Sequence, residues 1–354
     1  MRPVLFVTGH VAADRAGAFE RLHERAGIEL ALYGGRHLHG APAAPPPASV
    51  PHRTIAQHEI GRLVAAGGHR AVVAGTGGRI ALPLAWRAAR AGGVPFVFWA
   101  ALPRTPRTAA HLAAVPLMRS IYRNADAVVT YGEHVSAFVR AQGARRVLVA
   151  PQSVDNEFWS APTEPAPRRD GRFAALFVGR ATPEKGLAIA LEAWRRARLD
   201  GTLTIVGEQR ARGTLPNGVV AAGAADPAQL RNFYAASDVL VVPSIASRRF
   251  VEPWGLVVNE AMNQRTAIIA SDAVGATAGG LVRHERNGLV VPAGDADALA
   301  GALAALAADR ERTAALGAAG AQDVAAYTHE AWAQAFAGAL DRVSPPAGRG
   351  SVRS

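Results

Sequence analysis

The sequence predicts an α/β protein of two doubly wound, Rossmann-like domains facing each other across a cleft. Three observations lead there. Short β-branched runs alternate with Ala/Arg-rich stretches of helical period; the alternation restarts after a polar, Pro-rich segment at 161–172; and 354 residues suffice for two ordinary cores. Strands alternating with helices imply parallel βαβ units, whose ligands sit beyond the carboxyl ends of the strands.

In the first domain, 1–165, buried strands are predicted at 4–7, 28–33, 71–74, 96–99, 127–130 and 147–150. Helices are expected at 16–26, 80–91 and 116–124, and the proline-rich 41–51 reads as a loop because proline cannot donate to a ladder. In the second domain, 166–343, strands are predicted at 174–178, 203–206, 219–222, 239–242, 267–270 and 289–291. Its helices are expected at 187–197, 227–236, 259–263, 296–308 and 322–343, and 344–354 reads as a disordered tail.

Composition removes several function classes. Half the residues are apolar (49%) and 19% are charged, the balance of a globular chain. There is no cysteine, which excludes disulfides, thiolate metal sites and cysteine nucleophiles. The run at 4–7 is too short for a signal peptide, and no apolar stretch is long enough to cross a bilayer. The expected location is cytoplasmic, either free or at the inner face of a membrane.

Charge is unevenly placed. The net charge is +11, and residues 1–165 hold 18 arginines against 10 acids, while the remainder holds 21 Lys and Arg against 18. A basic first domain suits an anionic membrane surface or an anionic substrate; no nucleic-acid recognition motif accompanies it, so nucleic acid is not an expected partner. Of the 39 basic residues, Lys185 alone is lysine. In a chain that uses arginine everywhere else, a lysine marks a place where a compact ammonium serves better than a planar fork, or else survives by chance on a solvated helix.

Position argues for the first. The strand ending at Val178 runs into Gly179-Arg180-Ala181-Thr182-Pro183-Glu184-Lys185-Gly186, after which a helix opens at Leu187. A strand end, a glycine turn and a helix start together suit phosphate. Gly179 permits close backbone approach, Arg180 can bind phosphate oxygens bidentately, and Lys185 adds a mobile point charge.

A second constellation lies in Phe250-Val251-Glu252-Pro253-Trp254-Gly255-Leu256-Val257-Val258-Asn259-Glu260. Its two carboxylates stand eight positions apart with Gly255 between them and a helix beginning near Leu256. Backbone N–H groups of Leu256 and Val257 are then free for a phosphate, Glu260 can accept hydrogen bonds from a ribose diol, and Glu252 can reach sugar hydroxyls. Ordinary helix-start acids favoured by the dipole would show the same spacing. Backbone around Gly207, Gly223 and Ala224 is the expected place for base and sugar selection.

Gly179-Arg180…Lys185-Gly186, the Glu252-x7-Glu260 pair, Ser271-Asp272…Val274-Gly275 and Asn287-Gly288-Leu289-Val290 together resemble family 4 of the retaining glycosyltransferases, which have the GT-B fold. The likeness is dense over roughly 174–343; the first domain matches in architecture and in phrases such as Tyr131-Gly132-Glu133-His134. The resemblance implies a nucleotide-diphosphate sugar held mainly by the second domain, with Arg180 and Lys185 on the diphosphate, Glu252 near the donor sugar and Glu260 on the ribose. It also implies that Gly9, in the loop after the first strand, nears the donor. A glycan, a lipid-linked sugar or a small molecule would be the acceptor.

Catalysis then rests on Arg180, Lys185 and Glu252, with no cofactor and no metal. The cations stabilise the charge that develops on the departing diphosphate, and Glu252 positions the donor. Asp295-Ala296-Asp297 has the form of a metal-binding D-x-D, but it precedes an amphipathic helix, where Asp295 reads as an N-cap. Weaker signals are Gly75-Thr76-Gly77-Gly78 as a turn, His111 and His134 as bases or surface polar groups, Trp99 as a stacking platform or core residue, and Arg119 and Arg123 as contacts to an anionic membrane. A nucleotide-sugar epimerase or hydrolase of the same fold and a non-enzymatic binder of anionic polymers remain as alternatives.

Overall fold

The computed structural model describes residues 2–34, 46–78, 80–166, 172–207, 215–248 and 250–344. The predicted tail at 344–354 lies, from 345 on, outside them. In chain order the elements are β1 (Val4–Thr8), α1 (Ala16–Ala26), β2 (Ile28–Leu32), β3 (His52–Thr54), α2 (Ile60–Ala65), β4 (Ala71–Gly75), α3 (Ala81–Ala91), β5 (Phe96–Ala100), α4 (Ala109–Asn124), β6 (Ala127–Thr130), α5 (Glu133–Ala141) and β7 (Val147–Val149). There follow α6 (Asn156–Ser160), β8 (Phe173–Val178), α7 (Leu187–Ala197), β9 (Gly201–Val206), β10 (Val219–Gly223), α8 (Pro227–Ala235), β11 (Val239–Val242), α9 (Val257–Asn263), β12 (Ala267–Ser271), α10 (Gly275–Ala278), β13 (Gly288–Val291), α11 (Ala296–Ala308), α12 (Arg310–Val324) and α13 (His329–Val343).

Two parallel sheets result, of order β3-β2-β1-β4-β5-β6-β7 and β10-β9-β8-β11-β12-β13. Both are doubly wound α/β structures, as the alternation predicts. Strand order reverses between β1 and β4 in the first sheet and between β8 and β11 in the second. At such a reversal the connections leave in opposite directions and open a crevice beyond the strand ends. The positions of Gly179 and Glu252, after β8 and after β11, follow from this topology.

All twelve expected strands form, and the structure adds β3, a three-residue edge strand whose residues are all exposed. Solvent exposure on both faces removed the apolar pattern by which the others were legible. Helix α4 begins at Ala109 rather than at 116, because Thr108 caps it by accepting the His111 N–H and Pro116 sits inside it. The helix expected at 322–343 is broken. Helix α12 ends at Val324, and Thr328 caps a new helix, α13, through the Ala331 N–H.

That break corrects the domain boundary. The chain divides into one unit of residues 1–155 with 328–354 and a second of 156–327, so α13 is part of the first unit instead of closing the second at 343. Its Trp332 and Phe336 are buried in the first core, where Trp332 meets Phe19 and Trp99, and Phe336 meets Phe6, at ring separations of 5.5–5.9 Å. Burying two such rings is worth several kcal/mol, which ties the last described helix to the first strand. In each unit, helices cover both faces of the sheet, and its central strands are near-continuous runs of buried Val, Leu, Ile, Phe and Ala.

Candidate active site

The second unit brings two loops together at the strand-order reversal of its sheet. The first follows β8. Gly179 donates its N–H to the Val206 carbonyl at 3.0 Å, which carries the chain past β9, and a Cβ on Gly207 would lie 2.1 Å from the Gly179 carbonyl oxygen. The chain then makes a single 3-10 turn over Pro183–Lys185, and Gly186 takes the left-handed conformation at φ 73° before α7 begins. The second loop follows β11. Its Pro243 carbonyl would sit 2.0 Å from any Cβ on Gly186, and the Ile245 N–H donates to the Glu184 carbonyl at 2.9 Å. Only glycine lets the two loops approach this closely.

Because the loops touch, their charged residues meet. The Lys185 ammonium donates to Oε2 of Glu252, and the Ser244 hydroxyl reaches the same oxygen at 3.3 Å. Ser244 is fixed in turn, since its carbonyl accepts the Ser271 hydroxyl from the end of β12. Glu252 is 7% exposed while the Lys185 side chain is 23% exposed, so the pair forms a wall with its cation toward solvent. The backbone of Glu252 bridges to Val274, and Gly255 turns the chain at φ 93° into α9.

Glu260, 9% exposed, lies one turn into α9 and accepts the hydroxyl of fully buried Tyr234, on α8, at 2.7 Å. Burial first, and the Glu260 carboxylate second, push the Tyr234 phenol far above its usual range, so it stays protonated as the donor. A T-shaped contact with Trp159 holds the ring, and the Thr266 hydroxyl donates to the Tyr234 backbone carbonyl at 2.9 Å. Helix α9 starts at Val257, one residue after Leu256, and both flank the turn at Gly255.

The other expected residues are placed as follows. Arg180 is half-buried on the same loop as Lys185. Gly223 ends β10 in the left-handed region, accepting the Gly207 N–H at 2.7 Å, beside a cavity of about 410 Å³ lined by Ala222, Ala224, Gln229, Asn232 and Phe233. Gly9 belongs to the first unit, where it follows β1 against Tyr33 and Gly34. Asp295 caps α11 by accepting the Asp297 and Ala298 N–H groups, and Asp297 pairs with Arg196; a helix start explains the D-x-D. Trp99 packs in the first core beneath the Arg15 guanidinium, and His111 completes the α4 cap with Thr108. Tyr234 and Ser244 went unnoticed in the sequence, while Ser271 was singled out only as part of a motif. Ser244 could have been found, as a small polar residue two positions after a buried strand, but nothing in the sequence marks Tyr234.

Two Rossmann-like units in one chain are the GT-B architecture. Residues 163–323 match the family model for glycosyl transferases group 1, a match that falls on the second unit. The chain is similar to a D-inositol 3-phosphate glycosyltransferase of Segniliparus rotundus, 30% identical over 56% of this chain and 47% of that protein. It is also similar to a GDP-mannose-dependent α-(1-6)-phosphatidylinositol monomannoside mannosyltransferase of Mycobacterium tuberculosis, 31% identical over 60% of this chain and 61% of that one. The chain thus spans about half the length of the curated relatives it matches. Among solved structures, Anabaena HepE in complex with UDP superposes with a TM-score of 0.75 at 18% identity, over 96% of this chain and 99% of that one. A sucrose-phosphate synthase from Thermosynechococcus elongatus gives 0.73 at 21% identity, over 97% and 98%.

Proposed function

We propose that the protein is a retaining, metal-independent glycosyltransferase that moves a sugar from a nucleotide-diphosphate donor to a hydroxyl of a glycan, glycolipid or small molecule. The observation that carries this reading is the contact between Lys185 and Glu252. It sets a cation and a carboxylate side by side at the mouth of a nucleotide-type fold. Cleaving the anomeric C–O bond leaves negative charge on the diphosphate and positive character on the sugar carbon. Lys185 and Arg180 stabilise the first as it forms. Glu252 is already anchored by Ser244 and so is oriented to accept sugar hydroxyls. Glu260 takes the ribose, and Gly179, Gly255, Leu256 and Val257 bring backbone close to the phosphates. Gly223, beside its cavity, flanks the base. The acceptor hydroxyl attacks from the side the diphosphate leaves, which retains the anomeric configuration.

Matches to a group 1 glycosyl transferase model and to enzymes named for GDP-mannose and inositol-phosphate substrates support a nucleotide-sugar donor. The test is a panel of UDP-, GDP- and dTDP-sugars assayed for transfer or slow hydrolysis in EDTA, with the product anomer read by NMR. One donor is expected to be used with retention, undiminished by EDTA. Lys185→Ala and Glu252→Ala should each lower kcat at least about 100-fold. Near-wild-type turnover in either variant removes that residue from the site, and an inverted product discards front-face attack.

A further inference from the structure

We infer that the helical layer α2–α5 on one face of the first sheet is a docking surface for an anionic lipid bilayer, with the start of α4 as the part that enters the interface. Helices α2, α3, α4 and α5 pack into the same apolar cluster, so they form one layer, while α1 and α13 cover the other face. Between Glu59 and Asp126 the chain has nine arginines and no aspartate or glutamate, where its overall frequency would give about five acids. Of the eight arginines among the described residues of that run, seven are exposed. The charge surplus of the first half is therefore concentrated on one helical face.

Apolar surface accompanies the charge. Helix α4 buries only Ile121 and Tyr122, in its last turn. None of residues 109–116 joins the core, and Leu112 is 56% exposed. Ile80, at the head of neighbouring α3, is 44% exposed. The first turn of α4 has no acid to offset the positive end of the helix; Arg104 and Arg107 precede it instead. Exposed leucine and isoleucine between arginines suit lipid rather than nucleic acid, because a phosphate backbone satisfies the charges and leaves the apolar side chains in water. Combined with the transferase reading, on which this step rests, the surface makes a lipid-linked acceptor the expected substrate class.

The full-length protein is tested by flotation with vesicles of phosphatidylcholine, with and without phosphatidylglycerol, over a range of NaCl. It should float only with the phosphatidylglycerol vesicles and be released by salt. Arg104→Ala/Arg107→Ala should weaken vesicle affinity about 25-fold, from roughly fivefold per arginine near an anionic surface. Leu112→Asp should weaken it about tenfold or more, and Arg21→Ala, on α1, should change nothing. Thermal stabilisation by UDP should be the same in every variant. Equal binding to pure phosphatidylcholine, no flotation, or variants that float as well as the parent would each overturn the inference. Tight binding of duplex RNA that Arg104→Ala/Arg107→Ala abolishes and Leu112→Asp leaves intact would assign the surface to nucleic acid. A protein that floats as expected but transfers no sugar sinks the transferase reading and leaves the lipid surface standing.

Discussion

At the scale of single residues, the two glutamates of the candidate site have different supports and should fail differently. Glu260 is held by a neutral donor, the Tyr234 hydroxyl, inside the second unit. The ribose contact proposed for Glu260 would be the same before and during bond cleavage, so weakening it should cost binding and spare the chemical step. Tyr234→Phe is expected to raise the KM for the donor about 5–10-fold with kcat within about twofold, and to cost about 1–2 kcal/mol in thermal or denaturant unfolding. A fall in kcat with KM unchanged would move Glu260 from the ribose to the reacting sugar. In the proposed mechanism Lys185 acts on charge that develops only in the transition state, so its loss belongs in kcat. Lys185→Arg keeps the charge but replaces a compact ammonium with a wide fork in contact with Glu252, and full activity there would reduce the single lysine to an accident of composition. Lys185, Glu252 and Glu260 were legible because charge types at fixed spacing sit beside strand ends. Tyr234 was not, because a tyrosine on an amphipathic helix looks like any core residue until its hydroxyl is seen to meet a carboxylate.

Among the elements, those with a buried apolar period were readable and those without one were not. Strands such as β5 and β12, buried at every position, stand out in the sequence. The exposed β3 and the short α2 and α10 lack that signal, and α4 was shortened because Pro116 reads as a start when it is an interior residue. Loop geometry was legible only as glycine. Gly186 shows why the residue type matters: it combines φ 73° with a Cβ position 2.0 Å from the Pro243 carbonyl oxygen. Gly186→Ala must both strain the turn and push the β8 loop off the β11 loop, separating Lys185 from Glu252. We expect a loss of about 2–4 kcal/mol in stability and at least tenfold weaker UDP binding, measured by thermal unfolding and calorimetry. An alanine variant with unchanged melting temperature and affinity would show that the close approach is dispensable.

For the whole molecule, two α/β domains were readable from the restart of the strand–helix alternation, but their boundary was not. Helical period predicted one helix over 322–343; it could not say which sheet Trp332 and Phe336 would cover, because that is decided by rings more than 200 positions earlier, such as Phe6 and Trp99. Residues 156–327 are thus inserted between two pieces of the first unit, and the bridge between Val154 and Thr328 brings the two ends of the insertion together. Excised, 156–327 should fold cooperatively and bind UDP. Residues 1–155 alone should remain unfolded or aggregate, and joining them through a short loop to 328–344 should restore a cooperative transition by circular dichroism. A stably folded 1–155 would show that α13 only decorates a core complete without it.

Helix α13 also sets an order of events during synthesis. A ribosome delivers the whole guest before the final piece of its host, so 156–327 can reach its native state while the first sheet still waits for Trp332 and Phe336. Until they emerge, Phe6, Phe19 and Trp99 present an uncovered aromatic face. The nascent chain must therefore be kept from self-association for as long as translation of the inserted unit lasts, and slowing the ribosome within 156–327 would lengthen that exposure without altering a single residue.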